Sequence, residues 1–76
     1  MNISLSQASP NKTYTLKTIS PHCNGYERLL EMGFIPGSKL NYISKLRLGG
    51  PLIINIENTK VAIRRDDAQY ITIQTD

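Results

Sequence analysis

The chain has one cysteine, one histidine, one phenylalanine and no tryptophan among its 76 residues. A lone cysteine excludes an internal disulfide and fits a reducing compartment. Apolar runs are short: Leu52-Ile53-Ile54 falls far below the roughly 18 residues that cross a bilayer as a helix. Met1 to Pro10 is polar, with neither a basic start nor an apolar core, so it does not read as a secretory signal. No G-x-S-x-G, P-loop or dinucleotide fingerprint occurs, which removes the commonest nucleophile and phosphate-binding chemistries. Charge is not strongly one-sided either, since nine Lys and Arg stand against six Asp and Glu for a net +3. With 39% hydrophobic residues, the chain has enough apolar surface to fold rather than stay disordered. A small cytosolic domain is expected, and not an enzyme.

The pattern that is present is mainly β. Residues 1–12 are rich in Ser and Asn and read as a flexible lead-in before a single domain over 13–76. Ile3 and Leu5 are its only candidates for contact with the body. Thr13 to Ile19 alternates Tyr14 and Leu16 with polar neighbours, the mark of a strand with one buried face. Asn24 to Met32 predicts one short helix, with Asn24 and Glu27 spaced as a capping box. Gly33 and Pro36 end it. Strands follow at Ser38 to Lys45, Leu52 to Glu57, Lys60 to Arg64 and Tyr70 to Gln74, with Asn58 placed to take positive φ in a tight turn. Asp66-Asp67-Ala68 reads as one helical turn capped by Asp66. Five short strands at this spacing predict a small barrel.

Few residues carry chemistry. His22 and Cys23 are adjacent and Glu27 follows, giving at most three donors where a structural zinc takes four. They are candidate metal ligands, but no resident cofactor is assigned and any transition metal there reads as adventitious. A catalytic Cys–His pair usually comes from separate segments, so His22-Cys23 reads as a solvated loop. Asp66 and Asp67 after Arg64 and Arg65 read as a cap with surface ion pairs, each contributing about 0–1 kcal/mol. Lys39, Lys45, Arg47, Lys60, Arg64 and Arg65 face only Glu57 across residues 39–65. That basic stretch keeps open a small nucleic-acid-binding barrel, although Tyr42 is its only aromatic and no nucleic-acid partner is expected.

Three ordered blocks carry a resemblance: RLLEMGFIPGSKL, LGGPLIINI and KVAIRRDDAQYITI. Together they resemble the ferrous iron transport protein A (FeoA) family over about residues 13 to 75. Arg28-Leu29 through Gly33 with Pro36-Gly37 is the most specific part. Two departures stand out. Gly49-Gly50-Pro51 replaces the family's usual Gly-Asp-Pro, and Asn58 replaces a turn glycine, a swap that positive φ tolerates.

The resemblance implies an SH3-like barrel and a cytosolic accessory role in bacterial ferrous iron uptake. The implied partner is the ferrous iron permease, ferrous iron transport protein B, through its cytosolic nucleotide-binding domain, with membrane contact only through that partner. SH3-like folds receive peptides in apolar surface grooves. The expected contact surface is therefore the groove between the helix and the Leu48 to Pro51 loop, using Leu30, Met32, Arg47, Leu48, Gly49, Gly50 and Pro51. A metal-loaded regulator using His22 and Cys23 is the remaining alternative.

Overall fold

The computed structural model describes residues 1–45 and 50–75. Six strands form one antiparallel sheet in the order β1-β6-β2-β3-β4-β5, with β1 at Asn2–Ser4, β2 at Thr13–Ile19, β3 at Lys39–Lys45, β4 at Leu52–Ile56, β5 at Thr59–Ile63 and β6 at Ile71–Thr75. Two short helices, α1 at Tyr26–Glu31 and α2 at Arg65–Ala68, and a 3-10 turn at Leu5–Gln7 complete it. The sheet curls around Leu5, Leu16, Phe34, Leu40, Ile54, Ile56, Ile63, Ile71 and Ile73, all fully buried.

Alternation explains most of the strands. In β4, Leu52, Ile54 and Ile56 turn inward while Ile53 and Asn55 are only half-buried. In β2 the alternation slips. Tyr14 and Leu16 are buried, but the next inward residue is Ile19, because the register against β6 shifts between Leu16 and Thr18. A bulge adds one residue and returns the apolar side chain to the inner face. The β4–β5 turn uses Glu57 at φ 51° and Asn58 at φ 63°. Two successive positive φ values make the two-residue I′ hairpin that matches strand twist.

The N-terminal segment is the first correction. Residues 1–12 are not a loose lead-in: Ile3 pairs with Ile73 of β6, and Leu5 is wholly enclosed. Ser4 caps the 3-10 turn, its Oγ accepting from the Ser6 N–H at 3.1 Å and the Gln7 Oε1 accepting from the Ser4 N–H at 3.4 Å. The Ser4 hydroxyl also donates to the Ala68 carbonyl at 3.1 Å, tying the turn to α2. Further along, the Ser9 N–H donates to Tyr14 Oη at 2.9 Å. The polar composition hid a Ser-x-x-Gln capping box between two apolar anchors. The sheet therefore has six strands, not five.

The helix caps are the second correction. α1 starts at Tyr26 behind Gly25, with no side-chain cap. Residues Ser20 to Gly25 are taken up by turns in which the Cys23 N–H bonds the Ser20 carbonyl and the Tyr26 N–H bonds the Cys23 carbonyl, leaving Asn24 outside the first turn. The far end behaves as expected. Gly33 sits at φ 100°, its N–H bonds the Leu30 carbonyl, and the Phe34 N–H reaches back to the Leu29 carbonyl. This pair of bonds is a Schellman motif, and it buries Leu29 against the core beside Phe34. α2 is capped from Arg64, again without a side-chain bond, so Asp66 lies in its first turn rather than at its cap.

Candidate functional site

The adjacent His22 and Cys23 go to opposite environments. Cys23 is 3% exposed, within the core cluster. Burial pushes its thiol above the ordinary 9.0, the Gly25 backbone N–H pulls the other way, and the Asp67 carboxylate raises it further by charge and by hydrogen bonding. Burial and the neighbouring Asp67 carboxylate both favour the protonated thiol. His22 is exposed, its backbone N–H donating to Ser20 Oγ at 3.2 Å, and Glu27 is also exposed. Among the described residues no three His, Cys, Asp or Glu side chains converge as a metal site. The solvated-loop reading fails for Cys23, because a small apolar side chain fills the space behind α1 better than water does.

The expected contact surface divides. Leu30 and Met32 are half-buried and packed on the core, so only part of each is available to a partner. Gly50 and Pro51 are half-buried at the start of β4. Arg47, Leu48 and Gly49 lie outside the described residues. Pro51 lines a concavity of about 420 Å³ whose other described walls are Arg64, Arg65 and Asp66. A smaller concavity of about 260 Å³ continues past Arg64 to Asp67, Gly25, Asn24 and Arg28. Pro51 thus lies beside the start of α2.

Hairpin geometry places these residues. Centring the turn on Glu57-Asn58 pairs Leu52 with Ile63, so Pro51 and Arg64, just beyond each strand, become neighbours. The sequence carries that signal in the turn position. Arg28, Arg64 and Arg65 are all exposed and form no ion pair with a described carboxylate. Among the described residues the surface ion pairs expected of Asp66 and Asp67 are absent. Beneath this band Tyr42 is buried, which raises its hydroxyl above the ordinary 10.0, while the nearby Arg65 charge offsets part of the rise. On the far side Lys39 donates to Thr15 Oγ1 at 2.9 Å, beside an open polar depression lined by Asn41, Asn55 and Glu57.

The FeoA domain family matches residues 3–75. The chain belongs to the FeoA family. As a FeoA-family chain it is a small protein associated with ferrous iron transport, and the match takes in β1. No curated protein sequence matches it. Among solved structures it is similar to an iron uptake regulatory protein (FeoA), at 24% identity and TM-score 0.84, covering 100% of this chain and 99% of that one. It is also similar to Stenotrophomonas maltophilia FeoA complexed with zinc, a procaryotic SH3 domain protein, at 25% identity and TM-score 0.78, covering 95% and 89%. A manganese-dependent transcriptional repressor shares the fold at 18% identity and TM-score 0.86, over 99% of this chain and 42% of that one. The architecture of the FeoA-family chain is an SH3-like barrel. Among the described residues no helix is long and apolar enough to cross a membrane.

Proposed function

We propose that the chain is a docking module of ferrous iron uptake that seats on the cytosolic nucleotide-binding domain of the ferrous iron permease and regulates it without carrying iron. The observation that supports this reading is the concavity at Pro51 rimmed by Arg64 and Arg65, whose guanidiniums have no ion-pair partner among the described residues. Exposed, unpaired cations around a half-buried proline make a surface with an apolar floor and a charged rim, the arrangement of a protein contact. Family membership supports the system, and this surface supports the proposed contact. Gly50, Pro51, Arg64 and Arg65 form the centre of the contact, with the exposed parts of Leu30 and Met32 at its margin.

The test is a calorimetric titration against the purified nucleotide-binding domain, run separately with GDP, a GTP analogue and Fe²⁺. Saturable binding, weakened about tenfold or more by an Arg64→Glu, Arg65→Glu double change, is the expected result, since rim charges set steering and register. A change of affinity with nucleotide gives the direction of coupling. Unchanged affinity in the double variant removes the contact from this face. No binding under any condition overturns the reading.

A further inference from the structure

β5 forms one edge of the sheet. Among the described residues its only strand partner is β4. In a two-residue hairpin the residues flanking the turn, here Ile56 and Thr59, exchange both backbone bonds, and bonded pairs then alternate with non-bonded ones. Val61 and Ile63 therefore bond to β4, while the N–H and C=O groups of Lys60 and Ala62 point away from it. No other described residue donates to or accepts from these four groups. The side chains agree with the backbone. Val61 and Ile63 are buried, whereas Lys60, Ala62 and Arg64 are exposed, and Arg64 continues the extended conformation at φ −64°, ψ 146°. Steps of two put all three on one face. Ala62 leaves room for an approaching backbone, and a cation stands on each side of it.

The occupant follows from those charges. A second copy paired antiparallel about Ala62 sets Lys60 of one chain opposite Arg64 of the other, and like charges directly opposed destabilise a sheet. An extended segment with carboxylates on its outward face neutralises both cations instead. We propose that β5 pairs with an acidic, extended peptide segment of a partner protein by strand addition, in which the main chain supplies affinity and alternate side chains supply specificity. The edge ends at Arg64 and so runs into the Pro51 concavity. The inference rests on the docking reading only for the source of the segment; the pairing itself is a property of this chain.

The experiment is an NMR titration of the full ¹⁵N-labelled chain with two blocked hexapeptides, one alternating Glu and Val and one alternating Lys and Val. The Glu peptide is expected to bind with a dissociation constant below about 1 mM, to shift the Lys60 and Ala62 amides most, and to slow their hydrogen exchange. The Lys peptide is expected to bind at least about tenfold more weakly, because its charges oppose Lys60 and Arg64. Ala62→Pro removes an outward N–H that the β4 ladder does not use, a place where edge strands tolerate proline; it is expected to cut affinity about tenfold or more. Lys60→Glu, which leaves the backbone intact and sets one anion against Arg64, is expected to abolish most of the preference between the peptides. Absence of Glu-peptide binding overturns the proposal even if the permease domain binds elsewhere. Equal binding of both peptides, or exchange unchanged at Lys60 and Ala62, overturns it as well. Strand addition that persists while the permease domain fails to bind supports this inference and removes only the docking reading.

Discussion

The two outer strands of the sheet are finished in opposite ways. β1 is three residues long, leads directly into a capped 3-10 turn and drops Leu5 into the core. Its last N–H is taken by the Gln7 side chain, so little of that edge is left to pair. β5 is longer, carries four outward main-chain groups without a described partner, and is flanked by unpaired cations. An exposed strand edge is normally blunted, and on β1 it is. Among the described residues the only blunting device on β5 is charge, which repels another copy of the chain but attracts an acidic strand. The contrast separates an edge closed by its own sequence from an edge kept open with a stated preference.

The largest way to break the contrast is Leu5→Ala. Truncating a fully buried leucine costs about 2–5 kcal/mol, and the loss here is expected to release β1 with it. Urea unfolding measures the cost, and faster exchange of the β6 amides facing β1 reports the release. A destabilisation below about 1 kcal/mol shows that the N-terminal segment is not part of the core. Next in size is Ser4→Ala, which removes both the turn cap and the bond to the Ala68 carbonyl. Loss of a cap costs about 1 kcal/mol, again read by urea, with the added exchange confined to residues 2–7.

A smaller effect sharpens the closed side through pH. Burial, first, and the Asp67 carboxylate, second among the raising influences, keep the Cys23 thiol protonated above its ordinary 9.0. The folded state therefore holds its proton more tightly than the unfolded chain. The stabilisation is complete below about pH 9 and is lost as pH rises through the folded value. Thermal midpoints of the wild type are expected to fall between pH 9 and 10, and Cys23→Ala to flatten that slope while lowering the midpoint at every pH. Parallel slopes in the two proteins remove Cys23 as the titrating group. The smallest change is expected on the open side: Lys60→Glu should alter stability by less than about 0.5 kcal/mol, since the side chain is exposed and unpaired. A larger loss means that Lys60 is already engaged within the chain.

What the sequence revealed and what it hid follow from where the information sits. Alternation marked β2, β4 and β6 because each carries two or three inward residues, enough to show a period. β1 has three residues, with Ile3 only half-buried, and three residues display no period. Its cue is the Ser4-to-Gln7 spacing, the same spacing that at Asn24 and Glu27 produces no side-chain cap. The difference lies in Cys23, whose burial draws the chain into turns and carries Asn24 away from the helix start. Gly33 was legible because a left-handed residue after an apolar helix has few alternatives. The site was only partly legible. Pro51 was singled out, but its neighbours Arg64 and Arg65 follow from strand register, and register needs the turn position before any contact can be assigned. Arg47, Leu48 and Gly49 remain outside the described residues.

The order of the strands also bears on how this molecule is made. β6 lies between β1 and β2, so Ile73 must meet Ile3 and Leu16 before the first two strands have any ladder between them. During synthesis the hairpin of β4 and β5 needs only neighbours already emerged, whereas β1 and β2 wait beside an empty lane until β6 leaves the ribosome. Joining partners so distant along the chain carries a loop-closure cost before any contact rewards it. β6 is therefore the keystone of the sheet, and a chain halted before Ile71 would leave β1 and its Leu5 anchor without their pairing strand and β2 with only its β3 side.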